Sequence, residues 1–185
     1  EAAALLYKEA FSLGQQAYCD PDELAAFLNR VKFAAGRTKD IKEIVNSDVE
    51  TTLKELCVGV RSLENLREAG LVAALRAKLS LKDQSLLERL APAFLSLPSG
   101  RRLEIHYELD KSPWAQSRLQ DFFGMRKGPA VAGGEVSVVL HLLSPGKKPV
   151  QITADLGGFW GNHYPQVRKE LMRKYPRQKW PENPV

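Results

Sequence analysis

Two cysteines in 185 residues leave little room for a disulfide framework or a structural metal. Cys19 and Cys57 stand far apart in helical patterns, with no CxxC and no Cys/His cluster at metal-ligand spacing. They read as reduced core or near-surface thiols, and a zinc site is not expected. No apolar run approaches the roughly 20 residues of a membrane span. There is no GxxxxGK[ST] phosphate loop, because Gly146-Lys147 lacks a glycine at the required spacing, and no DExH string or GxSxG elbow. Nucleotide hydrolysis and serine-hydrolase chemistry are therefore not encoded here. Gly133-Gly134 and Gly157-Gly158 are isolated doublets, read as turns or close-packing points. The chain opens on Glu1 rather than Met and has no basic-then-apolar leader. This predicts a piece of something longer, with catalytic parts elsewhere.

What is present reads as ordinary globular protein, 44% apolar and 26% charged. Charge is unevenly spread. Residues 1–92 carry 13 Lys and Arg against 14 Asp and Glu, whereas residues 93–185 carry 14 against 8 and account for the whole net charge of +5. The asymmetry predicts two units, a helical bundle over 1–92 and an α+β unit over 93–185 whose basic end could face phosphate.

The first unit is helical by spacing. Leu6, Ala10, Leu13 and Ala17 mark one stripe, and Leu24, Phe27, Leu28 and Val31 another. Asp20-Pro21-Asp22-Glu23 places a cap, a proline at the first helical position and a carboxylate in order, and Gly36 is a stop. Ser47-Asp48-Val49-Glu50 predicts a second capping box. Ser62 opens a short helix ending at Gly70, and Ser80 with Asp83 opens another that runs to Pro92.

The rhythm changes at Leu95. Arg102–Leu109 alternates as a half-buried strand after the turn Pro98-Ser99-Gly100. Pro113 is read as opening a helix with Trp114, Leu119, Phe122 and Phe123 on its apolar side, closed by Gly124. GEVSVVLHLLS reads as a strand buried on both faces, followed by a turn at Pro145-Gly146 and a strand around Val150 and Ile152. A last helix is expected over 159–175. The fold class is thus α+β, a helical bundle followed by a small mixed sheet with two packing helices.

His106, His141 and His163 are too scattered, with no nucleophile beside them, to compose an acid–base site. The chain's densest chemistry is Asp155–Pro184, which holds two Trp, two Tyr, one Phe and six Lys or Arg. Tyr164, Val167, Leu171 and Tyr175 share one helical stripe and should face the sheet, leaving cations on the other side. The candidate nucleic-acid-binding set is Arg101, Arg102, Arg168, Lys169, Arg173, Lys174, Arg177 and Lys179. Cations with rings hold polynucleotides without reading sequence. The alternative is a solvated cationic face with Trp160 and Trp180 in the core.

LERLAPAFLSLPSGRRLEIHYE, RLQDFFGM, VAGGEVSVVLHLLSPGKKPVQITADLGGFW and YPQVRKELMRKYPRQKWPENP, in this order, resemble the C-terminal region of HrpB-type bacterial ATP-dependent helicases. AFLNRVKF and LCVGVRSLENLREAGLVAALR extend the likeness into the helical half. The chain departs from the family's YPxHxWPxDP ending at Gln178 and Asn183. The resemblance implies a cytoplasmic DEAH/DExH-superfamily parent with two motor lobes that use ATP and Mg, and no cofactor within this region. It implies a non-catalytic accessory region partnered by the motor lobes of its own chain. That region either contributes RNA or DNA contact or positioning of the motor, or docks on a protein partner or on the motor itself through an exposed patch containing Trp160, Trp180 and the Pro-rich end.

Overall fold

A computed structural model of the chain describes residues 2–185. It divides into two compact units, the second beginning at Pro92. The first contains α1 (Ala2–Leu13), α2 (Pro21–Ala35), α3 (Asn46–Leu56), α4 (Leu63–Glu68), α5 (Leu71–Ala77) and α6 (Leu81–Leu90). Local caps set most of their starts. Asp20 Oδ1 accepts from the Asp22 and Glu23 amides, Ser62 Oγ from Asn65 and Ser80 Oγ from Asp83. The expected box at Ser47 is displaced: α3 starts at Asn46, and the Asp48 carboxylate accepts from the Val45 amide at 2.9 Å. Asp48, the second residue of that expected box, supplies the cap by reaching back.

The first core gathers Leu24, Phe27, Val31, Leu53, Leu66, Leu71 and Leu75, with Cys19 and Cys57 buried and free. The stripe on α1 is shorter than its spacing suggested. Leu6 and Ala10 are buried, but Leu13 is exposed because the helix ends there at Gly14. Arg30, 5% exposed, ties α2 to the end of α6 through Nε to the Ala91 carbonyl and Nη2 to Glu88, both at 2.8 Å.

The second unit opens with an antiparallel hairpin, β1 (Phe94–Ser96) and β2 (Arg102–Glu104). Next come β3 (Trp114–Arg118), a ribbon of β4 (Ala130–Val131) and β5 (Val136–Ser137), then β6 (Val139–Leu143) and β7 (Pro149–Thr153). It closes with α7 (Leu156–Asn162) and α8 (Tyr164–Lys174). The main sheet has the order β3-β6-β7, with β3 parallel and β7 antiparallel to β6.

Four local expectations are corrected. The segment after Pro113 is a strand: Ala115 and Ser117 are small and buried at period two, and pair in register with β6. Leu119 and Phe122, assigned to the same helix by composition, are buried in the 3-10 turn that follows. Trp114 to Leu119 is a five-residue step, which no helical face repeats. The strand expected over 102–109 is regular only to Glu104, after which His106 makes a single bridge to Trp114. The Val/Leu run is interrupted at Val138, and β6 alternates rather than burying both faces: Leu140 and Leu142 are buried, Val139, His141 and Leu143 half-buried. Finally, the last helix is two helices broken at His163, with Asp155 capping α7 through the Gly158 amide and Pro165 in the first turn of α8.

Candidate nucleic-acid interface

The rings of the basic end form a core. Phe123 lies 5.9 Å from Trp160, 6.1 Å from Tyr164 and 6.4 Å from Trp180 between ring centroids, and Trp160 meets Tyr164 edge-on at 5.2 Å. Each polar ring atom finds a main-chain acceptor: Trp160 Nε1 the Met125 carbonyl at 2.8 Å, Tyr164 Oη Pro181 at 2.8 Å, Trp180 Nε1 Tyr175 at 3.1 Å. Such pairing lets large amphipathic rings be fully enclosed. Burial also pushes the Tyr164 hydroxyl up from its ordinary pKa, against the nearby positive charge of Arg168. Trp160 and Trp180 are only 6% and 7% exposed. They are therefore not the surface patch of the docking alternative.

The irregular segment after α8 folds back as a strap. Its Pro184 carbonyl accepts from the Gly124 amide at 2.7 Å, and Gln120 Nε2 donates to Gln178 Oε1 at 3.2 Å. Gln178, where the resembled family has His, thus makes a cross-link of its own.

The eight candidate cations do not share one role. Arg101 pairs with Asp121 at 3.1 Å, and the Arg102 guanidinium lies 4.3 Å from the Phe94 ring centroid; both sit on or beside the hairpin. Arg168 Nε donates to the Trp180 carbonyl at 2.9 Å, so its guanidinium is held by the strap. On α8 the buried direction is fixed by Tyr164 and Leu171. Lys169 and Arg173 then fall on the opposite, solvent side, and both are exposed. Lys174 occupies a flank and lines a cleft against β7, while Arg177 and Lys179 are exposed on the strap. Among the described residues, Lys169, Arg173, Lys174, Arg177 and Lys179 make no ion pair.

Two features escaped the sequence reading. The cleft beside Lys174 is shared with Lys148, Ser144, Val150, Glu170 and Tyr175, which brings the β6–β7 turn against the end of α8. Lys147 and Lys148 are adjacent in the sequence, but nothing local places them beside a helix end 26 residues on. The other is a ring stack on the half-open sheet face, His106 on Trp114 at 4.2 Å and Trp114 on His141 at 4.8 Å. Trp114 Nε1 donates to Glu108 at 2.7 Å, and Lys111 binds the same carboxylate. These bonds, that from Lys111 foremost, hold the Glu108 carboxyl below its usual pKa. Among the described residues, no group of three or more His, Cys, Asp or Glu is placed to hold a metal ion. None of the described helices is long and apolar enough to cross a membrane.

Comparison with known proteins gives this geometry a lineage. The family model HrpB_C, described as ATP-dependent helicase C-terminal, matches residues 52–184. An ATP-dependent RNA helicase HrpB of Escherichia coli (strain K12) is 40% identical over 137 residues, 74% of this chain but 17% of that protein. Crystal structures of E. coli DExH-box NTPase HrpB and DEAH/RHA helicase HrpB match with TM-scores of 0.82 and 0.74, at 30% and 29% identity. They cover 96% and 97% of this chain, which in turn spans 23% and 24% of theirs. The matched span contains β1 to α8 and the strap, the elements that hold the aromatic core together. The chain belongs to the ATP-dependent helicase C-terminal family.

Proposed function

We propose that this chain is a non-catalytic accessory region of an ATP-dependent helicase and contributes phosphate contacts to a bound polynucleotide. The motor lobes, with their ATP and Mg chemistry, lie in this reading in other parts of the parent and are its intramolecular partner. The observation that carries it is the exposed, ion-pair-free set Lys169, Arg173, Lys174, Arg177 and Lys179 on α8 and the strap. Ion-pair-free ammonium and guanidinium groups neutralise phosphates and release counterions, giving affinity that falls with salt and ignores base sequence.

The test leaves Arg168 intact, since losing it would loosen the strap. Lys169→Ala, Arg173→Ala and Arg177→Ala together should weaken binding of a single-stranded oligonucleotide in a filter titration at two salt concentrations. Each lost phosphate contact should make the log–log salt slope shallower by about 0.7. Unchanged affinity in a variant with an unchanged melting curve would instead favour docking on a protein surface.

A further inference from the structure

The basic character of the second unit does not stop at the solvent side of α8. The cleft between β7 and the last turn of that helix is lined by Lys148 and Lys174, neither of which has a carboxylate partner within ion-pair distance. Its inner wall carries two hydroxyls, Ser144 Oγ and Tyr175 Oη, 3.3 Å apart. Ser144 Oγ also accepts from the Lys148 amide at 3.1 Å. Ser144 Oγ keeps a second lone pair, so either hydroxyl can donate within the pair and the proton left over can serve a ligand. Two hydroxyl-bearing residues and two lysines thus line one opening, a donor set with the composition of an oxyanion site.

The turn that carries Lys148 is held tightly to this wall. A Cβ on Gly146 would stand 2.8 Å from the Tyr175 hydroxyl, so the turn can approach only because residue 146 has none. Lys147 adopts φ of 58°, a left-handed conformation that Gly or Asn would take at lower cost. Glu170 also lines the cleft. Its single negative charge is set against Lys148 and Lys174, which leaves the lining net positive.

We infer that this cleft seats a phosphodiester of a single-stranded polynucleotide, held by Lys148, Lys174 and the Tyr175 hydroxyl. The inference rests on the reading of this unit as a phosphate-contacting surface, and adds to it a defined seat outside the outer crest of α8. Lys174 joins the two: its neighbour Arg173 belongs to the crest, while Lys174 itself lines the cleft. A strand lying along the crest would meet the seat at the helix end.

The experiment uses the whole chain and a fluorescein-labelled single-stranded 12-mer, followed by anisotropy at two salt concentrations. Lys148→Ala should lower affinity and make the salt slope shallower by about 0.7, the mark of one lost phosphate contact. Tyr175→Phe removes a donor without altering charge. It should weaken binding about tenfold, as expected for a hydrogen bond to a charged group, with the slope unchanged. Glu170→Gln should strengthen binding. Full competition by millimolar inorganic phosphate, with equal loss for crest and cleft variants, would assign the seat to free phosphate and overturn the polynucleotide assignment. Wild-type binding left intact by both Lys148→Ala and Tyr175→Phe, with unchanged melting curves, overturns the seat alone. Absence of binding by the unaltered chain overturns the seat together with the function proposed above.

Discussion

Arg168 and Trp180 are joined side chain to main chain, the Arg168 Nε donating to the Trp180 carbonyl at 2.9 Å. A residue counted among nucleic-acid-binding candidates by composition is thus tied to the chain's own last segment. Its second partner, Glu182, is 3.9 Å away and 93% exposed, so that ion pair is screened by water. The hydrogen bond, not the ion pair, is the stabilising contact.

The consequence is a ranked pair of substitutions. Arg168→Ala should destabilise the second unit by about 1–2 kcal/mol, the range for a part-buried charged hydrogen bond, whereas Glu182→Gln should stay within about 0.5 kcal/mol. Urea denaturation followed by Trp fluorescence reports both, since Trp160 and Trp180 are buried in this unit. Equal losses for the two variants would contradict the assignment.

Gly146 and Tyr175 supply a second relationship that substitution can isolate. The close approach described above means that Gly146→Ala must displace the Tyr175 hydroxyl or the turn, at a cost of up to about 1 kcal/mol, because the atom in the way is the far end of a half-buried side chain. Tyr175→Phe removes the atom in the way. In that background the Gly146→Ala cost should shrink to a few tenths of a kcal/mol, a coupling that a double-mutant cycle of thermal unfolding measures directly. Additive effects would mean that the turn is set by something other than this contact.

What the sequence made legible was local. Asp20, Ser62 and Ser80 cap helices within three residues of themselves, so their roles could be read from neighbours alone. The strand Trp114–Arg118 could not, because its partner is 25 positions away and its buried residues, Ala115 and Ser117, give almost no hydrophobic signal. The break at His163 was signposted by Pro165, which favours the first turn of a new helix, and by Asp155 as an N-cap. The basic end shows the same division. Its helical stripe separated Tyr164 and Leu171 from the solvent-side cations, yet only tertiary structure shows Arg168 turned to the strap and Lys174 to a cleft. The strap has no period to read, since it is held by carbonyls and rings contributed from elsewhere.

The stack on the half-open sheet face yields a pH prediction. Glu108 accepts from Lys111 and from the Trp114 indole, and these two bonds, that from Lys111 first, lower its pKa. A depressed carboxylate favours the folded arrangement above its unfolded pKa, and that contribution is lost as pH falls through the lower folded value. Glu108 is a surface group, so the effect belongs to the loop that holds Trp114 and not to global stability. In an acid titration by NMR, the Trp114 indole N–H resonance should move with a midpoint below that of an ordinary Glu. Lys111→Ala should raise the midpoint, because the indole bond alone then holds the ionised form. Glu108→Gln should abolish the transition. An indole resonance that titrates unchanged in Glu108→Gln would show that another group drives it.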